Sequence, residues 1–328
     1  MLVTDDVALM AHLMRRAGFS AAREELEAYV AKGYEATVEE LLRPEDQPPF
    51  DEDFYYRYFP TSRSGTNFQG YQNRWMRQMI GTKRPLEEKM TLFWHHLFAT
   101  GFSKVENAPQ MNRQVTMFRR RGMGDFRGLL LELSSDPAMV FWLDNNENHK
   151  DAPNENFGRE LLELFSMGVG NYTEDDVKAC ARAFTGWTVV FGLPRYPYGE
   201  HFWDFEYRPE DHDDEEKIFL GQRGRFNGEE VIDIIVRQPA TARFLARHLC
   251  DFFVADEPPV PAWQNTPPRD PEVIKALEEE YFRSNYDIPS MLRVLFNSDS
   301  FKNARFAKVK SPAELVAGTV KLVGTHRF

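Results

Sequence analysis

Helical punctuation is the feature that most constrains this chain. Apolar residues recur at intervals of three and four along most of its length, between capping residues and prolines that open each run and glycines that close several. Residues 4–16 and 20–32 read as helices, with Ser20 as an N-cap and Gly33 as a stop. Thr37 and Glu40 predict a capping box for a short helix that ends before Pro44. Residues 44–66, rich in Pro, acids and Tyr, read as a long surface connection. Helical patterns follow at 67–80, at 85–100 with Pro85 in the first turn, at 109–121, at 125–134 and from Asp136 to about Leu143. They resume at 228–237, 240–254, 271–283, 288–297 and 312–323, the last opened by a Ser311–Glu314 capping box. Only residues 187–226 break the pattern, with WTVVF, HFWDFEYR and KIFLG between Gly and Pro. That texture predicts a small β-hairpin excursion. The fold class expected is mainly α, one large multi-helix domain over residues 1–328.

Composition supports a packed core and excludes some partners. The chain has 328 residues, 42% of them apolar and 27 of them Phe, which is ample for a buried interior. Its net charge of −11 argues against nucleic acid, because phosphate neutralisation needs surplus Lys and Arg. No stretch approaches the roughly 20 apolar residues that span a bilayer. The first residues carry two Asp and no basic n-region, so they read as a folded helix rather than a signal peptide, and the location expected by default is cytoplasmic. Cys180 and Cys250 stand 70 residues apart in helical patterns and read as buried free thiols.

The stretch from Asp144 to Trp187 concentrates the polar chemistry. Counting from Asp144, oxygen-bearing side chains fall at positions one (Asp144), three (Asn146), five (Asn148) and twelve (Glu155), the ligand spacing of a helix–loop–helix calcium site. Position six, where such loops need Gly, is His149, and position eight is Asp151. The competing readings are turns and caps, which Asn and Asp build by bonding local backbone, and ligand binding by the amides. In the helix that follows, Phe157, Leu161, Leu164 and Phe165 share one face and should meet the core. Glu155, Arg159 and Glu163, four residues apart, lie opposite, where Arg159 can pair with both acids. Glu160 flanks the apolar stripe, and a half-buried carboxylate there needs a partner. Asn156 should cap this helix. Thr173 should cap the next, with Asp176 closing the box.

Eight histidines complete the candidates, and none forms an HExxH pattern. His95 sits beside His96 in an aromatic helix, so one of the two should face inward. A hydrogen-bonded core histidine is the plain reading and a general base or metal ligand the sharper one. His212 lies in the acidic run EDHDDEE. There is no GxSxG elbow, and the GVG at 168–170 is too short for a phosphate loop.

Seven segments resemble one known family. They are HLMRRAGF from His12, PLEEKMTLFWHHLFAT from Pro85, FRGLLLELSSDPAMVFWLDNNENHK from Phe126 and APNENFGRELLELFSMGVGNYTEDDVKACARAFTGW from Ala152. HDDEEKIFLG from His212, PATARFLARHLCDFFVAD from Pro239 and VKSPAELVAGTVKLVG from Val309 complete the set. By them the chain is identified as a member of the bacterial domain of unknown function 1800 family. The resemblance implies a mostly helical bacterial protein and assigns no reaction. It includes Asn156, Arg159, Glu160, Glu163 and the His212–Asp213 pair among its motif positions. Relatives often carry His at the place of Leu97, and they tend to continue beyond the KSPAEL helix, which implies a C-terminally shortened member or a fragment.

Two functions follow as expectations. The first is a binding or assembly protein that recognises a protein or saccharide through a polar site over residues 144–163, with Asn154, Asn156, Arg159 and His212 in contact and Asp144, Asn146, Asn148 and Glu155 as possible calcium ligands. The second is a hydrolase in which Glu160 or Glu163 and His95 move protons and Arg159 stabilises an anion. A raised carboxyl at Glu160 in a cleft shared with His95 favours the enzyme. An aromatic groove with dispersed polar groups favours the binder.

Overall fold

Most helices begin where a capping side chain or a proline stands. The computed structural model describes residues 4–58, 68–192 and 203–324. The first third holds α1 (Thr4–Arg16), α2 (Arg23–Lys32), α3 (Tyr34–Leu41), α4 (Glu52–Tyr58), α5 (Phe68–Gly81), α6 (Pro85–Leu97) and α7 (Phe102–Val105). The middle holds α8 (Ala108–Arg121), α9 (Phe126–Ser134), α10 (Pro137–Trp142), α11 (Asn156–Glu163) and α12 (Glu174–Ala183). Strands β1 (Trp187–Phe191), β2 (Trp203–Tyr207), β3 (Lys217–Phe219) and β4 (Gln222–Gly224) follow. The last third holds α13 (Gly228–Val236), α14 (Pro239–Phe253), α15 (Pro271–Arg283), α16 (Ile288–Asn297), α17 (Asp299–Asn303) and α18 (Pro312–Val323). The fold is mainly α. No helix among the described residues is long and apolar enough to cross a membrane.

The β excursion is two hairpins rather than one. β1 pairs antiparallel with β2, Trp187 opposite Tyr207, and β3 with β4, Lys217 opposite Gly224. Leu220 and Gly221 form the second turn with φ of 46° and 76°, the geometry a two-residue hairpin requires. Residues 193–202 of the expected insert lie outside the described residues.

Four local expectations fail for physical reasons. Ser20 does not cap α2: it has φ 71°, and its N–H reaches back to Met14 O at 3.0 Å, closing α1 instead. Thr37 does not open α3, because the chain turns helical directly after Gly33, and its hydroxyl donates to Gly33 O at 2.8 Å. The connection at 44–66 carries α4, and residues 59–66 of it lie outside the described residues. Asn156 is the first helical residue of α11 and not its cap.

One apolar cluster runs from Val7 to Phe301. Its centre is aromatic. Trp94 stacks on Phe98 at 5.3 Å, Phe98 meets Phe165 edge-on at 5.4 Å, and Phe157 meets Phe184 at 4.9 Å. α11 reaches α12 closely because Gly158 has no Cβ: one there would sit 3.0 Å from Ala181 N. Cys180 and Cys250 are both free and buried, as their helical settings suggest.

Candidate functional site

The asparagine-rich loop closes the end of α12. The last carbonyls of a helix lack intrahelical donors. Asn145 Nδ2 donates to Phe184 O at 3.2 Å and Trp187 O at 2.8 Å, and Asn148 Nδ2 donates to Ala181 O at 2.8 Å. Asn148 Nδ2 also reaches Asn145 Oδ1 at 3.0 Å, and its Oδ1 accepts the Asn154 N–H at 2.9 Å. Both amides are buried. The N-cap position of α11 is Glu155, whose side chain makes no capping bond, and Asn154 Oδ1 accepts the Asn156 N–H at 3.0 Å instead. Asn156 instead donates to Leu143 O at 3.1 Å, tying the helix to the loop's start.

The four side chains spaced as calcium ligands have separate protein partners. Asp144 accepts from Lys104 at 2.7 Å, Asn146 Nδ2 donates to Glu147 at 2.9 Å, Asn148 faces α12, and Glu155 accepts from Arg159 at 3.2 Å. Among the described residues no group of three or more His, Cys, Asp or Glu could hold a metal ion.

Arg159 turns away from Glu163. Its guanidinium holds Glu174 at 2.6 and 2.9 Å and Glu155 at 3.2 Å. The group is 34% exposed and Glu174 66%, so this is a surface bridge from α11 to α12 rather than an enclosed cluster. Glu163 accepts the Tyr172 hydroxyl at 2.8 Å. Leu164 is 40% exposed, off the core face assigned to it, because α11 ends at Glu163 and the helical wheel stops there. Leu162 is buried in its place. Glu160 is half-buried, and its enclosed Oε2 has no hydrogen-bond partner among the described residues. Burial first, and the Glu163 charge second, push its carboxyl above the usual range.

His95 lies elsewhere. It lines a cavity of about 270 Å³ among α5, α6, α8 and the start of α18. Trp75, Phe68, Phe102, Met76 and Met111 make the apolar wall, and Gln72 and Thr100 add polar groups. The Trp75 and His95 rings meet edge-on at 5.2 Å. Neither His95 ring nitrogen has a hydrogen bond among the described residues, and Nδ1 is fully enclosed. Burial, then the neighbouring His96, lowers its pKa, so the ring is neutral at neutral pH. Glu160, Glu163 and Arg159 do not line this cavity. His96 points outward, the arrangement expected of an adjacent pair.

His212 is a buried joint. Its Nδ1 lies 3.0 Å from Thr185 O, and the Asp213 carboxylate holds Arg182 at 2.5 and 3.1 Å, so this pair fastens the hairpin region to the end of α12.

The deepest ionic groups carried no site assignment in the sequence. Lys89 is fully buried and donates to Glu314 Oε1 at 2.6 Å, with its ammonium 4.5 Å from the Phe19 ring centre. Arg16 also reaches Glu314 Oε1, at 3.3 Å, and Phe253 O at 3.0 Å. Burial pushes the Glu314 carboxyl up, but Lys89 and Arg16 outweigh it and hold it at about 2. Burial pulls the Lys89 ammonium down to about 8. One residue earlier, buried Glu88 accepts from Gln78 at 2.7 Å, from the Trp75 indole at 3.1 Å and from Arg119. The available signal was a charge on an apolar helical stripe: Lys89 stands between Leu86, Met90 and Phe93, all buried.

A family model described as protein of unknown function (DUF1800) matches residues 12–327. No curated protein and no solved structure matches the chain.

Proposed function

The chain belongs to the DUF1800 family, and from that premise we propose that it is a binding protein whose pocket is the His95 cavity. The observation that carries this reading is an aromatic and thioether wall around one neutral imidazole with no hydrogen-bond partner among the described residues. Binding pockets are mostly apolar, with a few polar groups that fix orientation. At about 270 Å³ the cavity suits a ligand of one ring with one hydrogen-bonding group. Glu88 supports the wall by holding the Trp75 indole. The hydrolase alternative uses Glu160 or Glu163 with His95, and neither carboxylate is among the residues that line the His95 cavity.

Calorimetric titration with phenol and toluene tests the reading. Both should bind, with a negative heat-capacity change from apolar burial. His95→Leu should weaken phenol by roughly tenfold while sparing toluene, since one hydrogen bond is worth about 1 kcal/mol. Ala313→Phe, at the α18 edge of the cavity, should abolish both. Absence of binding at millimolar phenol and toluene rejects the proposal, as does full binding by the Ala313→Phe variant.

A further inference from the structure

A second cavity, of about 410 Å³, lies among the end of α14, the start of α15, α17 and residues 304–307. Val254, Val273 and Ile274 give it an apolar floor. Two arginines also line it: Arg269, just before α15, and Arg305, just after α17. Neither guanidinium has a carboxylate or hydrogen-bond partner among the described residues. Ser300 and Asn303 add a hydroxyl and an amide that are likewise unpartnered.

The acids of this region are already engaged. Glu257 is buried against Arg247 at 3.0 Å and accepts the Arg269 backbone N–H at 2.8 Å. Asp270 is the N-cap of α15, accepting from Glu272 N and Val273 N. Asp251 and Asp256 share Lys308, at 3.2 and 2.7 Å. Arg247, Lys308, Arg269 and Arg305 thus stand against four carboxylates, Glu257, Asp270, Asp251 and Asp256, and among these the Arg269 and Arg305 guanidiniums are the two cations without a partner among the described residues. A further cation, Arg15 of α1, lies nearby, its guanidinium 5.2 Å from the centre of the Phe306 ring next to Arg305.

We propose that this cavity binds a small organic oxyanion, a phosphate or carboxylate held by Arg269 and Arg305 with its apolar part against Val254, Val273 and Ile274. Guanidinium forks match either oxyanion in bidentate fashion, and a desolvated apolar floor strengthens the contact. The inference is independent of the His95 cavity, which shares no lining residue with this one.

Calorimetry with phenyl phosphate, benzoate and benzyl alcohol tests it. At least one of the two anions should bind at a single site, and whichever binds tighter identifies the head group. Benzyl alcohol, which keeps the ring and loses the charge, should give no heat in the Ala313→Phe variant, where the His95 cavity is filled. Arg269→Gln and Arg305→Gln should each weaken the anion by roughly tenfold or more, the value of a charge-assisted hydrogen bond. Arg225→Gln, an exposed arginine lining neither cavity, should leave it unchanged. Arg269 and Arg305 are themselves exposed, so the variants should fold, which circular dichroism checks. Three results overturn the proposal: no heat with either anion at millimolar concentration, benzyl alcohol binding as tightly as the anions in the Ala313→Phe variant, or unchanged anion affinity in both arginine variants.

Discussion

Arg159 makes three hydrogen bonds to carboxylates and still sits at the edge of the molecule. Its partners face water, so screening leaves little net gain. Arg159→Ala should lose less than about 1 kcal/mol in urea unfolding. Glu314 is the opposite case. It is 5% exposed and sits between two cations, one of them wholly buried. Glu314→Ala should lose about 3–5 kcal/mol by the same measurement, because Arg16 and Lys89 are left inside without an anion. Equal losses in the two variants would refute this ranking. The 155–159–163 spacing was legible in the sequence, but the partner of Arg159 was not. Glu174 arrives from 15 residues further on, across a turn whose path no helical wheel describes. Glu314 was legible as a cap and not as a counter-ion, since its cations lie 225 and 298 positions away.

At the scale of elements, α12 is finished at both ends by side chains. Thr173 and Asp176 close a reciprocal box at its start, and Asn145 and Asn148 close its end from the loop before α11. Thr173→Ala should cost about 1 kcal/mol. Asn148→Ala should cost more, about 2–3 kcal/mol, because it leaves the Asn154 N–H and the buried Asn145 Oδ1 without their partner and the Ala181 carbonyl with the Phe184 N–H alone. Hydrogen exchange should then show the loop and the end of α12 opening together, and an unchanged exchange pattern would count against the clamp. Boxes confined to four residues, at Thr173 and Ser311, could be read directly. Ser20 and Asn156 could not, because each is claimed by a neighbouring element: Ser20 by α1 and Asn156 by Leu143. The apolar pattern placed the helices, but the cavities between them depend on how α5, α8 and α18 cross, which periodicity does not encode.

At the scale of the whole molecule, two buried imidazoles set the response to acid. Burial pulls His12 down from 6.5 to about 4, and His248, enclosed by Phe244 and Trp263, to about 3. Below pH 6.5 the unfolded chain protonates both while the fold keeps them neutral, so stability falls with pH through that window. The slope is about 1.4 kcal/mol per pH unit for each histidine. Asp136 opposes them: burial raises it from 3.8 to about 6, so between those values the fold takes up its proton first. Two groups outweigh one, and below 4.5 the loss of the Glu314 carboxylate adds to the decline as pH falls towards about 2. Urea midpoints measured from pH 7 to 4.5 should drop steadily, and His248→Phe should flatten the curve; a level wild-type curve would contradict the assignment. The Arg16–Lys89–Glu314 triad also has a consequence in time. A ribosome releases Arg16 and Lys89 long before Glu314, and at roughly 5–20 residues per second the 225 residues after Lys89 take on the order of 10–45 s. Through that interval, docking α1 on α6 would trap two cations with no anion. The nascent N-terminal half is therefore held ajar, and α18 is the latch that shuts it.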